Sequence, residues 1–302
     1  MTGKEPCVTL GMPVRNGMPY LRPALDSLLA QDFEDFEVLI SDNDSDDETR
    51  AVCEEYVRAD ARVRYLHQAT NLGAAGNYNL LVHEARGAFF KWCAADDMAA
   101  PGFIGDCVAA LERAGDDAVL AHVLTRWVDE AGATLEDYGA DLPFDDTAPH
   151  TRLRTLLGDP VHSHLFKCSP ICGLMRTSVL RDTGLIRPYG ASDKVCLVEM
   201  ALRGSWVQVP EYHFLRRVHE QSSLNANRDP EELARWFDPK NKGRYPAPRT
   251  TLFKGYLEAI RRAPLGFTER RRCMGPLMGL LRREWRVLGG EYKIKTRLAL
   301  GR

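Results

Sequence analysis

Apolar and polar positions alternate in blocks along the first half of the chain. Residues 7–12 (CVTLGM) form a short apolar run, the pattern of a buried strand. Residues 20–31 then return Leu21, Leu25, Leu28 and Leu29 to one face of a helix. The same reading gives strands over 36–41 (FEVLIS), 62–67, 88–93 (AFFKWC) and 118–123, and helices over 47–58, 74–85 and 101–113. Strands alternating with helices of about a dozen residues predict an α/β fold with a mostly parallel sheet flanked by helices. In such sheets ligands bind beyond the carboxyl ends of the strands. After residue 123 the pattern loosens. A hairpin is expected over 127–135 around Glu130-Ala131-Gly132, helices over 177–183 and 194–203, and two short strands on either side of Pro210 within 206–218. The polar stretch 225–230 is expected to close a domain of residues 1–224, and 225–302, with its breaker-rich DPKNKGRYPAP, to form a basic helical extension.

Composition narrows the class. Of 302 residues, 44% are hydrophobic and 27% charged, an ordinary balance for a chain with a sizeable core. The net charge of −2 implies no general attraction to nucleic acid. No run suits a signal peptide or a membrane span, so a cytoplasmic protein is expected. The eight cysteines are scattered and read as reduced thiols, and neither Cys168 with Cys172 nor His162 with His164 has persuasive zinc spacing. The end of the chain is different: residues 261–302 hold twelve Lys or Arg against three acids, with Leu277, Leu280, Leu281, Trp285 and Leu288 as an apolar stripe. Such a helix either packs on the preceding domain with a solvated basic face or lies peripherally on an anionic membrane.

Three polar clusters fall where strands end: Pro13-Val14-Arg15-Asn16, the run SDNDSDDET (41–49), and Ala94-Ala95-Asp96-Asp97. Each alone could be a turn with helix-capping residues. Three at one edge of one sheet point to a site. Asp96-Asp97 is the sharpest, because adjacent carboxylates repel one another and call for a cation or partner. Hard cations such as Mg²⁺ or Mn²⁺ take oxygen ligands and share them with substrate phosphates.

The segments VTLGMPVRNG (8–17), FEVLISDNDSDDET (36–49), NLGAAGNYN (71–79), ARGAFFKWCAADD (85–97), GASDKVCLVEMALRG (190–204) and RRVHEQSS (216–223) resemble, in order and spacing, the family-2 glycosyltransferases of the GT-A fold, which usually invert the anomeric centre. The resemblance implies transfer of a sugar from a nucleotide diphosphate-sugar donor to a glycan, lipid-linked or small-molecule acceptor with Mn²⁺ or Mg²⁺. The donor half would be about 1–123 and the acceptor half about 124–224.

It also implies roles. Asp42 would read the donor base, with Pro13 and Arg15 beside it. Asn71 and Gly73 would close over the nucleoside. Asp96 would serve donor and metal, Asp97 the metal, and His219 the metal or phosphate. Arg217 and Gly173 would lie on the phosphate or acceptor side, and Asp193 would be the base that deprotonates the acceptor. A helix-cap role for Ser192 or Asp193 is the plainer alternative at that position. Two departures from the family pattern stand out: Arg15 replaces a frequent aromatic residue, and Ala94 replaces the first acid of the metal motif. A sugar-nucleotide pyrophosphorylase and a binding protein without catalysis are the competing readings.

Overall fold

In a computed structural model the described residues are 5–139, 144, 148–158, 169–220, 222, 229–241 and 247–299. His162, His164 and Cys168 lie outside them, as does most of the polar stretch 225–230.

The first half follows the alternation. Strands β1 (Val8–Val14), β2 (Phe36–Asp42), β3 (Val63–His67) and β4 (Phe89–Trp92) are joined by helices α1 (Leu21–Leu29), α2 (Thr49–Ala59) and α3 (Gly73–Glu84). β1 pairs in parallel with both β2 and β4, and β2 with β3. All seven residues of β1 and of β2 are buried, which explains why they read as continuous apolar runs. α1 turns Leu21, Ala24, Leu25 and Leu28 into the core.

The second half is mixed. After the two-residue β5 (Met98–Ala99) and α4 (Phe103–Ala114), β6 (Ala118–Val128) runs five residues beyond its expected end and turns back into β7 (Thr134–Tyr138). The turn is the expected one: the Asp129 N–H donates to the Ala133 carbonyl at 2.9 Å, with Gly132 at φ 88°. The short α5 (Pro149–Leu157) and β8 (Leu174–Arg176) were not foreshadowed by periodicity. The sheet order is β3-β2-β1-β4-β8-β6-β9-β5, with β7 on β6. β8 runs antiparallel to β4 and β6, whereas β6 and β9 are parallel.

The two strands expected around Pro210 are a single strand, β9 (Ser205–Arg217). Val209 faces Val123 and Phe214 faces Thr125, so residues 210–213 stand opposite Leu124 alone. Pro210, which has no N–H to give a ladder, falls in that bulge. Beyond it β9 also pairs with β5, Met98 facing Leu215.

Helices α6 (Thr177–Arg181), α7 (Ser192–Ala201), α8 (Pro230–Phe237), α9 (Pro248–Arg262) and α10 (Phe267–Ala299) complete the chain. Leu252, Tyr256, Ala259 and Ile260 of α9, with Cys273, Leu277 and Leu280 of α10, are buried in the same apolar cluster as Val195, Leu197 and Val198 of α7 and Leu153 of α5. Packing therefore continues across residue 225. No helix among the described residues is long and apolar enough to cross a membrane.

Candidate active site

The loops that leave β1 and β2 are stitched together. The Asn16 N–H donates to Ser45 Oγ at 2.9 Å, the Asp46 N–H to Asn16 Oδ1 at 3.0 Å, and the Gly17 N–H to Thr49 Oγ1 at 2.8 Å. Pro13 is buried within β1 opposite Ser41. Because β4 pairs with β1 only as far as Gly11, a residue without an N–H is tolerated two places on. Arg15 is exposed where the strand ends.

Asp42 is fully buried. Its Oδ1 accepts the Ser45 amide at 3.0 Å and hydroxyl at 2.6 Å, and its Oδ2 accepts the Tyr65 hydroxyl at 2.7 Å. A donor base would have to share a carboxylate already held by the protein. The neighbouring Asn43 ties this loop to the next: its Nδ2 donates to Asn71 Oδ1 at 2.9 Å, and its Oδ1 accepts the Leu72 N–H at 2.7 Å. Sequence reading passed over Asn43, although an amide inside an acidic run was its signal. Asn71 Oδ1 also accepts the Gly73 N–H at 2.8 Å. Gly73 has φ 75°, and a Cβ there would stand 2.5 Å from the Phe237 carbonyl oxygen. What approaches this glycine closely is the chain's own 237–239 segment.

Asp96 and Asp97 occupy the turn between β4 and β5, and the β5–β9 pairing lays the end of β9 across them. The Arg217 N–H donates to Asp97 Oδ1 at 2.9 Å, and His219 Nε2 lies 2.9 Å from Asp96 Oδ2. The His219 ring packs on Tyr20, centroids 4.4 Å apart. The Arg217 guanidinium is buried and committed to the loops. Its Nε donates to the Asp96 carbonyl at 3.0 Å, its Nη1 to the carbonyls of Asp129 (3.3 Å) and Glu130, and it covers the Tyr20 ring. That is a scaffold for the acidic turn, and it leaves little of Arg217 to meet a phosphate.

Burial, and then repulsion from Asp96, pushes Asp97 up to about 7. A buried carboxylate held against a second one is suited to a divalent cation. Each keeps its second oxygen clear of the bonds just described. Among the described residues no three His, Cys, Asp or Glu groups converge to hold a metal alone. The donor set therefore fits a cation that completes its shell with phosphates and water. His219 stands as the partner that orients Asp96.

Asp193 lies in the first turn of α7, where the helix dipole favours a negative charge. The helix is entered through Ala191 at φ 60°, whose side chain can give no cap, and Ser192 Oγ donates to the Arg187 carbonyl at 2.9 Å. Burial raises the Asp193 pKa, with Lys194 and Arg216 opposing the rise. The same Arg216 favours the ionised form of Asp97. Its Nη1 donates to Ser169 Oγ at 3.0 Å, and its guanidinium lies 5.1 Å from the Trp127 ring centroid. Tyr78 stands among these groups: after burial, the charges of Cys172, Asp96, Asp97 and Asp193 are what raise its phenol.

Two cations were thus missed by sequence reading. Alternation along β9 puts Arg216 and Arg217 on opposite faces, which was the available signal. Lys91, inside an apolar strand, is buried, donates to the Cys172 carbonyl at 2.5 Å and lies 4.2 Å from the Phe103 ring centroid. Gly173 serves the sheet: a Cβ there would stand 2.4 Å from the Ala121 carbonyl oxygen.

Comparison with known proteins adds the following. Residues 9–183 match the family described as Glycosyl transferase family 2. An uncharacterized glycosyltransferase of Rickettsia prowazekii is 26% identical over 58% of this chain, which spans 52% of that relative's length. The structure of S. aureus TarS 1–349 in complex with UDP-GlcNAc superposes with a TM-score of 0.66 at 18% identity, over 92% of this chain and 72% of that one. The mannosyltransferase PcManGT from Pyrobaculum calidifontis, in complex with GDP-Man and Mn²⁺, gives a TM-score of 0.53 at 16% identity, over 98% of this chain and 81% of that one. At such identities the two structures speak for the fold, which is GT-A.

Proposed function

Because this chain belongs to glycosyl transferase family 2, we propose that it moves a sugar from a nucleotide diphosphate-sugar to an acceptor hydroxyl with inversion, and that Asp193 is its base. The observation that carries the reading is convergence: Asp193, from α7, and Asp97, from the β4–β5 turn, share the field of Arg216, and the charges of both act on the buried Tyr78. One in-line displacement fits this arrangement. The acceptor oxygen bonds to the anomeric carbon, the bond from that carbon to the diphosphate breaks with its electron pair on the departing oxygen, and the hydroxyl proton passes to the Asp193 carboxylate. A carboxylate whose pKa is raised by burial is a stronger base than one in water. Arg216 offers positive charge where the diphosphate gains negative charge.

Asp96 and Asp97 would hold Mn²⁺ or Mg²⁺, which when bound neutralises charge on the diphosphate. The PcManGT complex supports that part by likeness of fold. The 42–49 and 71–73 loops, tied through Asn43, would receive the nucleoside, with Arg15 at their open side. The basic helices at the end of the chain would contact a membrane, as developed below. A donor screen with Mn²⁺ tests the reading: transfer or slow hydrolysis of a sugar nucleotide is expected, with transfer slowed about 10²–10⁴-fold in Asp193→Asn and donor affinity kept. Turnover that requires pyrophosphate would identify a pyrophosphorylase, and binding without turnover a protein that has lost catalysis.

A further inference from the structure

The apolar stripe of α10 divides in two. Cys273, Leu277 and Leu280 are buried against α5 and α9. A second set points outward: Phe267 is 82% exposed, Met278 41%, Trp285 60% and Tyr292 72%. These four are spaced by 11, 7 and 7 residues, intervals that return to one helix face within about 20° at 3.6 residues per turn. Beside them, within about 100° on one side, stand the exposed Arg271, Arg282, Arg286 and Lys293.

Charge is sorted as sharply. All three acids of the helix are turned inward and spent on the protein. Glu269 Oε1 accepts the His150 N–H at 2.9 Å, Glu284 pairs with Arg249 at 3.3 Å, and Glu291 accepts the Arg249 and Thr250 amides at 3.0 and 2.8 Å. Among the described residues Arg271, Arg282, Arg286 and Lys293 form no ion pair. The outward face is therefore aromatic and purely cationic.

We infer that this face docks on an anionic lipid surface, with Phe267, Met278, Trp285 and Tyr292 entering the headgroup region and the basic row meeting lipid phosphates. Amphipathic helices of this composition lie in the interface plane, and aromatic side chains favour that depth. A second copy of the chain is a poor occupant, because a two-fold contact would bring the same positive rows together. The helix that carries the docking face has the site on its inner side: Arg249 and the inward Glu284 act on Lys194, the neighbour of Asp193. The inference rests on the proposed function only in making the acceptor one carried by that lipid surface.

The test is co-sedimentation of the full chain with phosphatidylcholine vesicles, with and without phosphatidylglycerol, alongside nucleoside diphosphate binding by calorimetry. The protein is expected to sediment with the anionic vesicles alone, less at physiological than at low salt, as exposed charges are screened. A basic residue beside an anionic leaflet is worth about a factor of five, so Arg282→Gln with Arg286→Gln should weaken partitioning roughly 25-fold. Trp285→Ser should weaken it with an unchanged melting temperature. Protein that stays in the supernatant at low salt while still binding nucleotide overturns the inference and leaves the transferase reading intact. Equal binding to both vesicle types also overturns it, as does Trp285-dependent self-association without vesicle binding. Vesicle binding without nucleotide binding supports the surface and counts against the transferase reading instead.

Discussion

Arg216 and Arg217 are consecutive residues of β9 with opposite commitments: Arg217 is buried against the Asp96 carbonyl, and Arg216 reaches Ser169 Oγ at 3.0 Å and lends its positive charge to Asp97 and Asp193. Replacement should separate them. Arg217→Gln strips charge-assisted bonds from buried carbonyls and is expected to cost about 2–4 kcal/mol of stability. Arg216→Gln should melt within a few degrees of wild type yet lose about 10–100-fold in kcat/KM, the effect of removing stabilisation specific to the transition state. Thermal melts and steady-state rates on the two variants decide. A silent Arg217→Gln would refute the scaffold role.

Asp193 carries a cost that pH exposes. Its folded pKa is raised by burial, so its contribution to stability is fully present below the unfolded value near 3.9 and is lost as pH rises through the folded value. Asp193→Asn should therefore melt higher than wild type at neutral pH, with the gap closing in acid. Transfer should fall by about 10²–10⁴-fold while donor affinity holds. Calorimetric melts across pH, with rate assays, report both.

His122 is buried, neither ring nitrogen has a partner among the described residues, and burial lowers its pKa from 6.5 to about 4. The unfolded chain takes up a proton below pH 6.5 and the folded chain does not, so stability is lost as pH falls from 6.5 towards 4. That loss is on the order of 3 kcal/mol. His122→Leu should flatten this part of the pH–stability curve and be neutral or stabilising at pH 7. Denaturant titrations at several pH values would show it, and an unchanged slope would contradict it.

Divalent metal should govern donor affinity. Because Asp97 is strained by burial and by Asp96, nucleoside diphosphate is expected to bind at least about tenfold more weakly in EDTA, and Asp97→Asn should bind equally weakly with or without metal. Equal affinities for wild type in Mn²⁺ and EDTA would remove the pair from that role.

The first half of the fold was legible because β1 and β2 are buried on both faces and the helices between them are amphipathic, so period alone found them. β5 and β8 are two and three residues long, too short for any period, yet β5 is what lays the end of β9 on Asp96 and Asp97. The acidic pair was visible as chemistry, but Lys91 was hidden inside an apolar run and Arg216 behind its twin. Residue identity told which groups could act. Which arginine faces inward depended on the register of β9, and that is a tertiary fact.

Gly73 shows how far the two ends of this protein depend on each other. The residue opens α3, beside the loop expected to hold the nucleoside, and its missing side chain makes room for Phe237 and Pro239, more than 160 residues further along the chain. A chimera that keeps residues 1–224 and borrows the remainder from a relative would thus rebuild what packs on the proposed donor loop without altering a residue of the loop itself. Sugar-nucleotide preference in such hybrids should follow the borrowed end as well as the retained one.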